Sequence, residues 1–98
     1  MAVTGDVQID NGTFTVTRWT IDPGEAIPMH VHAYEYVVVP LVDETMHVTS
    51  VDGSEIVAEL RIGQSYTRPA GAEHTVANRG TRPVVFVEIE KGPWARPC

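Results

Sequence analysis

Apolar and polar residues alternate with a period of two over much of this chain, the spacing of strands whose successive side chains face opposite sides of a sheet. Phe14-Thr15-Val16-Thr17 alternates in this way and so does Trp19-Thr20-Ile21, but the two sets fall on opposite parity. A β-bulge near Thr17–Arg18 would return both sets to one inward face. Pro23-Gly24 follows with turn chemistry. Residues 30 to 42 read as one long strand-like segment centred on Val37-Val38-Val39, in which Pro40, unable to donate to a ladder, marks a bulge or a sheet edge. Thr45–Val51 and Ser54–Leu60 flank Asp52-Gly53, the pattern of a hairpin with a two-residue turn. Further strands are expected over Ser65–Arg68, from about His74, and over Val84–Glu90. No segment carries a helical period of useful length. Six or more short strands punctuated by Gly, Pro, Asp and Asn in a chain of 98 residues predict an all-β sandwich or barrel.

Length makes this one domain, with a core over about residues 12–90 and an irregular tail over 91–98. Trp94 in that tail packs either on the barrel or on a neighbouring subunit. A domain this small buries only about 60–65% of the surface of its unfolded chain, so an internal metal or a partner subunit would add stability. The net charge is -6, from 13 acidic and 7 basic residues with no run of Lys or Arg. That balance excludes nucleic acid as a natural partner and argues against a basic membrane-surface helix. No stretch approaches the roughly 20 apolar residues of a membrane span, and the start of the chain does not read as a signal peptide, so the cytoplasm is the expected compartment. Cys98 is the single cysteine, which rules out an internal disulfide, a Cys-based zinc site and a redox pair.

Chemistry concentrates in two turn-punctuated segments. The first is Pro23-Gly24-Glu-Ala-Ile-Pro-Met-His30-Val-His32. Residues two apart on a strand share a face at roughly 6.5–7 Å, so two imidazoles there can converge on one ion. Alone, such a pair reads more readily as two half-exposed strand residues. The second segment is Gly63-Gln-Ser-Tyr-Thr-Arg-Pro69-Ala-Gly71-Ala-Glu-His74-Thr-Val-Ala-Asn78. Pro69-Ala-Gly71 makes a tight turn before His74, and Asn78 suits a turn or strand-end hydrogen bond.

Together the two segments resemble the motifs of the cupin superfamily. Gly24, His30 and His32 match the start of the first motif; Gly63, Pro69, Gly71, His74 and Asn78 match the second. The phrase His30-Val-His-Ala-Tyr-Glu-Tyr-Val-Val-Val-Pro-Leu41 is also similar to small single-domain bacterial cupins, some labelled β-alanine degradation proteins, a label that names no defined reaction. The resemblance implies a double-stranded β-helix, or jelly-roll barrel, with His30, His32 and His74 holding a divalent metal ion such as Fe, Zn, Ni, Cu or Mn at the barrel mouth.

The sequence departs from the family where a ligand glutamate and a closing glycine usually stand, since those positions fall on Tyr36 and Asp43. Parity puts His30, His32, Tyr34 and Tyr36 on one face and Glu35 on the other, which favours a three-histidine centre unless a bulge rotates Glu35 inward. Three neutral ligands would leave the ion its full charge and suit an anionic or enolisable small-molecule substrate. Tyr36 is the candidate catalytic residue, as a hydrogen-bond or proton donor, or else a filler of the barrel. Arg18 and Arg68 are candidate carboxylate partners or rim charges. The face of Glu88 is ambiguous, because Val85, Val87 and Ile89 compete with Val84 and Phe86 for the core, and His47 reads as a strand-surface residue. A cupin fold names no reaction. Dioxygenase-like chemistry is favoured, a redox-neutral isomerase or lyase is second and a non-catalytic binding module third, with a homodimer expected.

Overall fold

The computed structural model describes residues 2–92; Trp94 and Cys98 lie outside the described residues. Nine strands follow one another: β1 (Val3–Asp10), β2 (Phe14–Ile21), β3 (Ala26–Val31), β4 (Tyr36–Pro40), β5 (Thr45–Ser50), β6 (Glu55–Glu59), β7 (Tyr66–Arg68), β8 (Glu73–Ala77) and β9 (Val84–Lys91). Among the described residues there is no helix. The strands form two antiparallel sheets, one in the order β1-β2-β9-β4-β7 and the other β3-β8-β5-β6. Their inner faces enclose one core, with Ile21, Leu60, Val84 and Phe86 almost fully buried.

The structure corrects three local expectations. β2 pairs with β9 without interruption from Phe14↔Lys91 to Ile21↔Val84, and the register shift lies instead in β1, between Val7 and Ile9. The parity change along β2 therefore needs no bulge. Trp19 and Ile21 face the core, while Val16 faces outward in a cross-strand row with Ile9, Ile89 and Val37. Because this outer face is itself apolar, hydrophobicity alone does not mark the inner one. Second, residues 30 to 42 are two strands: β3 ends at Val31 in one sheet and β4 begins at Tyr36 in the other, with Pro40 as its last residue. Third, the β5–β6 hairpin closes on Ser50 and Ser54 through a 2.8 Å bond, so Val51-Asp52-Gly53 form a three-residue loop. Gly53 takes its positive φ of 88° there, the usual device of that loop length.

Asn78 joins the ends of the sheets. Only 2% exposed, it donates through Nδ2 to the Ile21 and Arg82 carbonyls at 2.8 Å each and accepts from the Gly80 N–H at 2.9 Å. With three bonds of a buried side chain at stake, one of them fully buried, Asn78→Ala is expected to cost about 2–4 kcal/mol in urea unfolding with an unchanged m-value.

Candidate metal centre

β3 would present Ile27 and His30 to opposite faces if it were regular, since their numbers differ in parity. It is not regular. Ile27 pairs with Val76, yet His30 pairs with His74, so Pro28-Met29 carry one extra residue into the ladder. This bulge, at a proline that has no N–H to give, lets Ile27 and His30 both face inward. His32 follows on the same face and is 5% exposed; its N–H donates to the Ala72 carbonyl at 2.9 Å and its carbonyl accepts from the Gly71 N–H at 2.7 Å. Gly71 holds φ at 86°, a conformation costly for any residue with a Cβ. The Pro69-Ala-Gly71 turn thus clamps the backbone of His32 while delivering His74 onto β8.

The ligand atoms of His30, His32 and His74 lie within 4.8 Å of one another. The three rings meet edge to face, with centroids 4.8 Å apart for His30–His32 and His30–His74 and 5.4 Å for His32–His74. His30 Nδ1–H donates to the Pro28 carbonyl at 2.8 Å, and His32 Nδ1–H donates to the Glu90 carboxylate at 2.9 Å. With both Nδ1 protons so placed, the neutral rings have bare Nε2 atoms, and these face each other at 3.0 Å. Two lone pairs at that distance repel unless a cation or a shared proton stands with them. Nitrogens about 2.1 Å from a common ion and at right angles around it are themselves about 3.0 Å apart, so the donor set fits a transition metal or zinc.

Electrostatics supports the same fit. Burial, followed by the neighbouring His30 and His32, pushes the His74 imidazole down to about 4. Burial also lowers His32, with its bond to Glu90 offsetting part of the effect. Both rings are therefore neutral and ready to donate electron pairs at neutral pH.

Tyr36 is 3% exposed and stacks on His32 at a centroid distance of 3.9 Å. Burial raises its phenol above the ordinary value, so it keeps its proton. Glu35 is exposed, lies beside the outer-sheet groove with Phe14 and Val37, and stays outside the histidine group. Asp43 accepts a backbone bond from Ile62 instead. Arg68 is half-buried on the inner face opposite Tyr36, with its guanidinium 4.8 Å from the Tyr66 ring, whereas Arg18 is exposed on the outer face. His47, on β5, does not join the group.

Two acids came with no motif. Val84, Phe86, Glu88 and Glu90 all face inward along β9, which settles its parity and brings both carboxylates to His32. Burial first, then Glu90, pushes Glu88 up to about 7. Their signal in the sequence was the shared parity with Val84 and Phe86, masked by the equally apolar Val85, Val87 and Ile89. A carboxylate behind a ligating histidine fixes its tautomer and raises its basicity. Glu90→Leu should accordingly weaken zinc binding about 10–100-fold in a chelator competition titration, with Glu90→Gln in between because its amide oxygen still accepts.

The Cupin domain family model matches residues 17–90. The chain is a cupin. It is 45% identical over 84 residues to the β-alanine degradation protein BauB of Pseudomonas aeruginosa, covering 86% of this chain and 87% of that one. The crystal structure of a cupin domain from Bordetella pertussis superposes with a TM-score of 0.86 at 40% identity, covering 91% of this chain and 92% of that one. A double-stranded β-helix protein from Klebsiella pneumoniae shares the fold at 23% identity, with a TM-score of 0.76 over 96% of this chain and 80% of that one. The double-stranded β-helix expected from the two motifs is the fold of this cupin.

Proposed function

We propose that this cupin is a metal-dependent enzyme acting on a small carbonyl- or carboxylate-bearing metabolite, with dioxygenase-like chemistry favoured. The observation that carries this reading is the pair of bare imidazole nitrogens facing each other at 3.0 Å, with His74 beside them. His30 and His32 would hold a divalent ion through Nε2, and His74 would complete the set. When bound, the ion supplies Lewis acidity toward substrate oxygens and, as Fe(II), access to O2 chemistry. Tyr36, whose phenol stays protonated against the His32 ring, serves as a hydrogen-bond donor to a bound oxygen. Half-buried Arg68 adds a positive field on the His74 side that suits a carboxylate. The name of the Pseudomonas relative is in keeping with catabolism of a small metabolite.

A redox-neutral isomerase or lyase is the second reading, favoured by Glu88: a carboxyl at about 7 is well matched to moving protons at neutral pH. Metal analysis of the purified protein, followed by oxygen uptake with a panel of small oxo, hydroxy and thiol acids, separates the two. Bound iron and substrate-dependent oxygen consumption support the first reading; tightly held zinc with turnover but no oxygen uptake supports the second. A protein that takes up no divalent metal refutes both and leaves a binding module.

The homodimer also belongs to this proposal. The outward row Ile9–Val16–Ile89–Val37 crosses four strands, and a groove of 290 Å3 beside it is lined by Phe14, Val37 and Ile89. A second copy would cover that apolar face. Sedimentation that shows a monomer at every concentration rejects it.

A further inference from the structure

Two cavities flank the histidine group, and they differ greatly in size. One is bordered by His74, Tyr66 and Arg68 and offers 20 Å3, about the room of one water. The other shares His30 and His32 with the group and offers 350 Å3, in the range of small-molecule sites. A molecule larger than water that rests on the histidines therefore has one direction in which to extend, toward the second cavity.

The lining of that cavity sets the chemistry it accepts. Apart from His30, His32 and Glu88, every residue around it is apolar. Ile27, Val76 and Phe86 are its most deeply buried members, none more than 6% exposed. Glu88 takes a hydrogen bond from the Trp19 side chain, so a donor inside the protein already serves this acid. Met29, in the bulge of β3, lines the same space and is 45% exposed. An unbranched thioether left half in water at the edge of an apolar cavity adapts readily to hydrocarbon of varied shape.

We propose that this 350 Å3 cavity seats a short hydrocarbon group of the ligand, packed against Met29, with the oxygen-bearing head of the same molecule at the histidines. Burying such a group removes apolar surface from water on both partners, and the gain grows with each carbon until the space is filled. A strongly polar group in the same place would give up its hydration to walls of Ile27, Met29, Val76 and Phe86, which return no hydrogen bond. The substrate class thus narrows from any small oxygen-bearing metabolite to one that carries an aliphatic chain. The head-group end of this assignment rests on the metal-enzyme reading; the hydrocarbon end rests on the cavity alone.

The test uses acetohydroxamate, butyrohydroxamate and hexanohydroxamate, which share a metal-chelating head and differ in chain length. Calorimetric titration of the zinc-loaded protein should show binding that tightens about threefold per added methylene, close to the gain for burying a CH2 group. Met29→Asn should lower that increment to less than about twofold. Val31→Asn replaces an apolar side chain, 63% exposed on the same strand but outside the cavity, and should keep the full increment. Equal affinity for the three probes overturns the proposal. So does an increment that survives Met29→Asn, the result expected if the chains settle in the outer groove beside Phe14 and Ile89. If the wild type takes up no zinc, the metal reading fails alone, and butanol against hexanol titrated into the metal-free protein, with the same two variants, still decides this one.

Discussion

His74→Ala is expected to abolish stoichiometric zinc uptake while leaving the fold in place. β8 supplies one ligand to the group and β3 with its following residue supplies the other two, so removing the imidazole leaves a two-nitrogen remnant. If three ligands share the roughly 10–16 kcal/mol typical of a protein zinc site, losing one costs about 3–5 kcal/mol, or two to four orders of magnitude in affinity. The same loss appears in thermal unfolding. Zinc at a thousand times its dissociation constant stabilises the wild type by about 4 kcal/mol, and that increment should vanish in the variant. His47→Ala is the matched control: it removes another strand imidazole, one outside the group, and should leave both readouts unchanged. Zinc binding that survives His74→Ala would disprove the three-histidine centre.

What made this group legible in advance was spacing joined to turn chemistry. Gly71 and Pro69 fix where the chain reverses before His74, and a turn of that kind is written in residue types. Asn78 was legible for the same reason, as a short polar side chain able to satisfy backbone groups at a strand end; its three bonds fulfil that role. The Pro28-Met29 bulge was harder. Its only trace is that Ile27 and His30 have opposite parity although both belong inside, and a motif that names the histidines conceals the need for it. Glu88 and Glu90 were hidden more deeply. β9 carries apolar residues on both faces because its outer face lies in the middle of an outward-facing, mostly half-buried apolar row, so period-two reasoning has no polar side to anchor it. The misplacement of the β2 bulge has the same cause. An apolar exterior removes the contrast from which register is read.

Those hidden acids alter the electrostatics expected from three neutral ligands, because two carboxylates on β9 stand against the +2 of an ion. Their first measurable consequence is in the metal-free protein. His74 titrates at about 4 in the folded state against 6.5 unfolded; between these values only the unfolded chain binds the proton, so this residue's contribution falls as pH drops from 6.5 to 4. His32, also lowered, acts in the same direction. Glu88 has the opposite sign. Raised to about 7 from 4.5, it keeps its proton in the folded state after the unfolded chain has lost it, so its contribution falls as pH rises from 4.5 to 7. From pH 4.5 to 6.5 the His74 and Glu88 slopes oppose each other, one proton against one proton, and the EDTA-treated wild type should show a shallow profile set by His32. Glu88→Gln removes one side of that balance. Its stability should climb by about 2 kcal/mol between pH 4.5 and 6.5, allowing for partial hydration of both groups. Urea unfolding at half-unit intervals measures this directly; a variant profile parallel to that of the wild type would show that Glu88 ionises as an ordinary surface acid and carries no burial cost.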